Sequence, residues 1–294
     1  MSSHFLLEND SDYRAWRAVK LANYPKRFEE LIVAVDDPRS LTTAETRALE
    51  ACCLRANMVF YYAPAVLAGD KSVPHQFARQ LGLARLEGNY LADDDGLSSI
   101  TPSDDQASAR GDYIPYTHKP INWHTDGYYN APDRRILGML LHCVQDADSG
   151  GENALLDPDI AYIQLRDTQP EYVEALMQPD AMTIPARMDE DTIARPPQSG
   201  PVFSVDEDQG FLHMRYTART RSIEWKPDAL TQAAIKTLSE IVNGSEYILN
   251  ASLVPGMGLI CNNILHTRTT FTDRPERRRL LYRGRYYDRI KFPG

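Results

Sequence analysis

The chain has 294 residues, 43% of them hydrophobic and 9% aromatic, enough to bury one large core or two small ones. Lys and Arg number 32 against 41 Asp and Glu, a formal charge of -9 at pH 7 that repels phosphate backbones and anionic lipid, so nucleic acid and membranes are excluded as expected partners. Four cysteines without a C-x-x-C pair read as reduced thiols, and the absence of a leader pattern or a long apolar run predicts a cytoplasmic protein.

In chain order, the opening MSSHFLLENDSDYRAWR offers no clear element, and His4 falls in what reads as a loose terminus. TTAETRALEACCLRANM begins with Thr42 and Glu45 in capping-box spacing and predicts a helix with Leu49, Cys53 and Leu54 on one side. NMVFYYA reads as a strand, and PHQFARQLG as a short helix with Pro74 at its first position and Gly82 as its stop. From residue 83 to about 120, Asp, Ser, Gly and Pro accumulate (ADDDGLSSITPSDDQASARGD). Loop chemistry over that length suits a functional lid or flap.

After residue 130 the pattern changes to short strands: RILGMLLHCV, AMTIPAR, PVFSVD, GFLHMRYT, EYILNA, GLICNNI and RLLYRGRYY. Helices interrupt them at DPDIAYIQLRD, capped by Asp157 with Pro158 in the first turn, at PEYVEALM, and at KPDALTQAAIKTLSEIV. Many short strands with few helices predict a mainly β fold with flanking helices and a sandwich or barrel of the jelly-roll type. No linker or repeat divides the chain, so residues 1–294 read as one domain, with 1–110 a helical or mixed part on the barrel and 111–294 the barrel core with helical insertions. Neither G-x-G-x-x-G nor G-x-x-x-x-G-K-[ST] occurs, so no phosphate-cradling loop is expected.

The segment WHTDG poses the chemical question. In extended backbone, residues two apart project to one side, so His124 and Asp126 can converge on one ion; alternatively the segment is a surface turn that contains a histidine. An imidazole with a carboxylate suits Fe(II) or a similar first-row cation, and a third ligand would complete a facial triad with open positions. His142 reads as a core histidine and His75 as part of a helix; His118 and His213 are possible third ligands. His266 is the best candidate, where the strand of PGMGLICNNILHTRTTF gives way to loop. Further on, RPERRRLLYRGRYYD places Arg279, Leu281, Arg283 and Arg285 on one face if it is a strand. Either the arginines face solvent, or one points inward as a fork for a small carboxylate.

Together WHTDG, GGEN, LHTRTTF and RRLLYR, with DPDIAYIQL and FARQLG, resemble the taurine-dioxygenase-like (TauD/TfdA, clavaminate-synthase-like) family of Fe(II)- and 2-oxoglutarate-dependent oxygenases over most of residues 40–290. The resemblance implies a double-stranded β-helix core, Fe(II) held by His124, Asp126 and His266, and 2-oxoglutarate bound through its C5 carboxylate by Arg279. It places Asn153 where relatives often carry a Thr that also touches the co-substrate, and Arg283 where some relatives meet an anionic group of the substrate. The implied reaction consumes O2 and 2-oxoglutarate, releases succinate and CO2, and oxidises the substrate, with hydroxylation favoured over halogenation because Asp126 is a carboxylate.

The sequence does not name the substrate; a small polar molecule with a carboxylate or other anion is expected. Arg215, Arg219 and Arg221 either hold that anion or pair with the chain's acids. Trp123 and Tyr128 either wall the pocket or simply pack, and a homo-oligomer is open. Competing readings are a cupin-like metal enzyme that does not use 2-oxoglutarate and a non-catalytic binding protein. A zinc hydrolase is least favoured, because no H-E-x-x-H is present.

Overall fold

Among the described residues six α-helices follow in order: α1 Asp10–Asn23, α2 Thr43–Ala56, α3 Ser72–Gln80, α4 Pro158–Thr168, α5 Pro170–Leu176 and α6 Ala229–Gly244. Short strands make up the rest of the regular structure, giving a mostly β protein with helices. A computed structural model describes residues 3–66, 68–88, 92–103, 113–189 and 192–293. These fall into two compact units. The first comprises the chain through Tyr24, Asn122–Arg135 and Leu156–Ile248; the second comprises Pro25–Ile121, Ile136–Leu155 and the chain from Leu249.

The second unit is built on a six-stranded sheet in the order Ile32–Ala34, Met58–Tyr62, Met257–Cys261, Gly138–Gln145, Leu280–Tyr286, Ser98–Ile100. Only the first pair is parallel. The central strand Gly138–Gln145 is an almost continuous apolar run because both of its faces are covered. Against the sheet pack Leu49 and Cys53 of α2 and Phe77 of α3, with Val59, Tyr61, Leu140, Ile260 and Tyr286. The capping box of Thr42 and Glu45 forms as expected, but Leu54 is 75% exposed: it lies too far round the helix from Leu49 to share its face. α3 begins at Ser72, so Pro74 is its third residue and not its first. His142 is a core histidine, as its apolar surroundings implied; Nε2 donates to the Ala68 carbonyl at 2.9 Å and Nδ1 accepts from the Tyr61 hydroxyl at 2.7 Å.

The stretch from 83 to 120 is only partly loop. Ser98–Ile100 is an edge strand and Ile114–Tyr116 a single 3-10 turn, while residues 89–91 and 104–112 of the expected lid lie outside the described residues.

The first unit gathers α1, α4, α5 and α6 with small antiparallel sheets, including Gln198–Gly200, Met182–Ile184 and Glu224–Trp225 in that order. The sequence reading overlooked α1, and His4 does not belong to a loose terminus. Its ring stacks on Trp16 at 4.6 Å, and Arg166 of α4 donates to the carbonyls of His4, Leu6 and Leu7. Asn9 caps α1, and Lys20 near its other end is buried between Asp157 at 2.6 Å and Asp159 at 2.9 Å. Burial alone would strip the charge from Lys20, yet the two carboxylates hold its pKa above the ordinary value. Breaking such a buried pair typically costs about 3–5 kcal/mol. Among the described residues no helix is long and apolar enough to cross a membrane.

Candidate metal and co-substrate site

In the first unit, the backbone of WHTDG is locked in extended form. Ala218 N donates to the Trp123 carbonyl at 2.8 Å, and Thr125 N donates to the Tyr216 carbonyl at 3.0 Å. Thr125 Oγ1 accepts from Tyr216 N at 3.1 Å, and His124 is bridged to Thr217. Thr125 is fully buried as the anchor, so its neighbours His124 and Asp126 project to the opposite side. The chain then turns at Gly127, whose φ of 69° is left-handed backbone that disfavours a side chain. His124 Nδ1 lies 2.9 Å from the Asn122 carbonyl. A carbonyl only accepts, so Nδ1 carries the hydrogen and Nε2 the lone pair.

In the second unit, His266 lies on the strand Leu265–Arg268 and is 7% exposed. Its Nδ1 sits 3.0 Å from the Ile264 carbonyl, the same two-residue backward contact that fixes His124. Both histidines are therefore set in the tautomer that offers Nε2 to a metal. The strand is tied to Asn153–Leu156: Asn153 Nδ2 donates to the Thr267 carbonyl at 2.6 Å, and Ala154 N donates to Thr267 Oγ1 at 3.1 Å. One of the two amide hydrogens of Asn153, expected to serve the co-substrate, is thus committed to the strand that carries His266.

Arg279 is 5% exposed and lies just before the strand Leu280–Tyr286, not within it. A register shift between Leu280 and Leu281 breaks the alternation on which the shared face of Arg279, Leu281, Arg283 and Arg285 depended. Both faces of the strand are covered: Leu281 and Tyr282 are buried, and Arg285 is 7% exposed in an ion pair with Glu87. The Arg279 guanidinium lies over the Phe271 ring at 5.1 Å from its centre. Gly151, with φ of 80°, lets it sit there, since a Cβ would lie 3.2 Å from Arg279 Nε. Burial pushes the Arg279 pKa down, with Cys143 and Asp273 opposing. Among the described residues no carboxylate forms an ion pair with this guanidinium.

Arg268, two residues after His266, was missed by the sequence reading. It is 4% exposed and donates to the carbonyls of Pro115 at 3.0 Å, Ile114 at 3.3 Å, Thr117 at 2.8 Å and Lys119 at 2.5 Å. Burial, then the like charges of Arg279 and Arg283, push its pKa down to about 9. The same burial raises the Cys143 thiol to about 12, against the pull of Arg279. That thiol stays protonated and unreactive at neutral pH.

The remaining candidates spread over both units. Trp123 is buried. Tyr128 stands edge-on to His124, with ring centres 6.5 Å apart, and its hydroxyl accepts from Arg219 Nη1 at 3.0 Å. Arg215 donates to the carbonyls of Tyr128 at 2.7 Å, Met182 at 2.9 Å and Gln198 at 2.7 Å, which accounts for its position without any acid. Burial, then Arg195, push its pKa down to about 10. In the first unit Tyr128 and Arg215 border a small cavity of about 100 Å³, together with Asp126, Arg135, Ser204 and His213. In the second unit Arg283 is half-buried opposite Leu141, and His118 is exposed, packing on Phe271 at 4.9 Å.

The sequence matches the family model described as Taurine catabolism dioxygenase TauD, TfdA family, over residues 26–284. It is 33% identical over 174 residues to a uridine-5'-phosphate dioxygenase of Amycolatopsis sp, covering 56% of this chain and 60% of that protein. A uridine-5'-phosphate dioxygenase of Streptomyces sp is 30% identical over 190 residues, covering 61% and 66%. The chain thus spans 60% and 66% of the lengths of these two relatives. Among solved structures, the non-heme iron oxygenase OrfP in complex with Fe and alpha-ketoglutaric acid aligns with a TM-score of 0.60 at 17% identity, over 84% of this chain and 80% of that one, a likeness of fold.

Proposed function

Because the chain belongs to the taurine catabolism dioxygenase TauD, TfdA family, and is a dioxygenase by that membership, we propose that residues 1–294 act as one Fe(II)- and 2-oxoglutarate-dependent oxygenase domain that hydroxylates a small anionic substrate. In this reading the core is a double-stranded β-helix, and His124, Asp126 and His266 hold Fe(II). The donor set fits that ion: two neutral imidazoles and a carboxylate form a facial triad with open positions. Bound there, Fe(II) supplies the redox chemistry that couples loss of CO2 from 2-oxoglutarate to insertion of oxygen into a substrate C–H bond. The balance is one substrate, one O2 and one 2-oxoglutarate in; one hydroxylated product, one succinate and one CO2 out.

The observation that carries this reading is Arg279. A buried guanidinium without a carboxylate ion pair among the described residues is a receptor for an incoming carboxylate, and the C5 carboxylate of 2-oxoglutarate supplies one. Phe271 and Gly151 fix its position, and Arg268 steadies the segment 114–119 beside it. Asn153 contributes by holding the His266 strand, with its second amide hydrogen available to the co-substrate. Both histidines are oriented before metal arrives, so no tautomer change accompanies binding.

The name shared by two relatives makes a nucleoside 5'-phosphate the first substrate class to try. The test supplies Fe(II), 2-oxoglutarate and O2 with uridine 5'-monophosphate and with amino acids, and follows succinate together with an oxidised product. Succinate formed in step with product, and lost in His266→Ala and Asp126→Ala, is expected. Product formation that continues without 2-oxoglutarate overturns the proposal.

A further inference from the structure

The cavity of the first unit is unusual in its charge. The chain carries a net charge of -9, yet among the described residues the only carboxylate bordering the cavity is that of Asp126, the proposed metal ligand. Facing it are Arg135 and Arg215. Arg135 is half-buried, and its Nη1 lies 3.4 Å from the Ser204 hydroxyl. Arg215 donates to four backbone carbonyls, those of Tyr128, Met182, Gln198 and, at 3.5 Å, Gly200, which hold it in place without an opposite charge. Two further arginines reach Tyr128, which borders the cavity, and its neighbour Tyr129. Arg219 donates to the Tyr128 hydroxyl at 3.0 Å, and Arg195 lies 5.8 Å over the Tyr129 ring.

Among the described residues, none of Arg135, Arg195, Arg215 and Arg219 forms an ion pair with a carboxylate. Backbone carbonyls explain where Arg215 sits, but among the described residues no carboxylate answers the charge of any of the four. Charges of one sign brought together cost free energy in the empty state: Arg195 disfavours the charge of Arg215, and Arg187 and Arg219 that of Arg195. A bound anion recovers that cost.

We infer that this cluster is the seat of a phosphate monoester, with Arg135 and Ser204 as the principal contact and Arg215, Arg195 and Arg219 supplying field. A single carboxylate offers one negative charge in one plane and needs one guanidinium fork. A phosphate monoester offers close to two charges and three oxygens in three directions, which several guanidinium groups and a hydroxyl can share. Tyr128, which borders the cavity and stands edge to face with Tyr129 at 5.1 Å between centres, gives the organic part of such a molecule an aromatic surface. The phosphorylated substrate is thereby held beside Asp126. This assignment rests on the reading of the chain as a 2-oxoglutarate-dependent oxygenase, but the residues are distinct from Arg279 and from Arg283.

The test is anaerobic titration of the Fe(II)- and 2-oxoglutarate-loaded protein with uridine 5'-monophosphate, ribose 5-phosphate, uridine and asparagine, by calorimetry. The expected result is that phosphorylated probes bind and that uridine and asparagine bind at least roughly 30-fold more weakly, the size of effect of a desolvated charge contact. Arg135→Ala and Ser204→Ala should weaken the phosphorylated probes while the affinity for 2-oxoglutarate stays at the wild-type value, which also shows that the variants are folded. Equal binding of uridine and its phosphate, tighter binding of asparagine, absence of binding by any phosphorylated probe, or an Arg135→Ala variant with unchanged affinity each overturns the subsite. Failure of the wild-type protein to bind 2-oxoglutarate at all would instead strike the oxygenase reading on which the subsite rests.

Discussion

Arg268 and Arg279 lie over the same ring, that of Phe271, at 4.9 and 5.1 Å, and both are almost fully buried. Their surroundings differ in what meets the terminal nitrogens. Among the described residues, those of Arg268 donate to four backbone carbonyls, although its Nε has no partner, while Arg279 has neither an ion-paired carboxylate nor such a set of carbonyls. Carbonyl dipoles replace the water that a buried guanidinium loses, and so make Arg268 a fixed part of the fold. Arg279 keeps a net desolvation cost, which Cys143 and Asp273 only partly offset. Burial of charge alone does not mark a binding site; burial of charge without local compensation does.

Breaking the comparison at Arg279 should give the largest effect. Arg279→Ala is expected to raise the dissociation constant for 2-oxoglutarate by about 2–5 kcal/mol, roughly 30-fold or more, with a thermal midpoint equal to or above that of the parent protein. Titration calorimetry and thermal unfolding check the two halves separately, and a large loss of stability would place Arg279 with Arg268. At Arg268 the expectation reverses. Arg268→Ala leaves the carbonyls of Ile114, Pro115, Thr117 and Lys119 short of a donor and should cost about 3 kcal/mol in urea unfolding. Arg268→Lys should recover only part of it, since an ammonium has three hydrogens for four carbonyls.

Phe271→Leu sharpens the comparison by removing what the two arginines share. A cation–π contact is worth about 0.5–2 kcal/mol. Stability and 2-oxoglutarate affinity should therefore each fall by about 1 kcal/mol, and an effect on only one would show which arginine uses the ring. The smallest effect is expected where a guanidinium has its own carboxylate. Asp288 accepts from Ala84 N, Arg85 N and Arg85 Nε. Burial raises its pKa, but these hydrogen bonds outweigh burial and leave it below the ordinary 3.8. A depressed folded-state pKa contributes stability above the unfolded value that is lost as pH falls through the folded one. Urea midpoints of the parent should thus fall more steeply with acid below about pH 4 than those of Asp288→Asn.

Local signals in the sequence located much of this. The caps Thr42 with Glu45 and Asp157 with Pro158 each begin the helix they imply, because a cap is a contact within a few residues. The pairing of His124 with Asp126 was legible for the same reason. The helix α1 was not, since its stability comes from distant partners: Arg166 against the preceding turn and Asp157 around Lys20. Arginine roles were the least legible. Arg215 and Arg268 are defined by carbonyls far along the chain, and no spacing rule distinguishes them from Arg279 or Arg135. The H-x-R of His266 and Arg268 was visible, but nothing in it told a carbonyl-bound guanidinium from a receptor.

The central claim is that His124, Asp126 and His266 hold Fe(II) and that Arg279 receives 2-oxoglutarate beside it. Its most direct test is optical and anaerobic: 2-oxoglutarate is added to the Fe(II)-loaded protein, and the weak visible metal-to-ligand charge-transfer band is followed. The account predicts a band in the parent protein, its loss in His266→Ala at any 2-oxoglutarate concentration, and its return in Arg279→Ala only at concentrations raised roughly 30-fold or more. A folded, Fe(II)-loaded parent that gives no band, or a band indifferent to both substitutions, would contradict it.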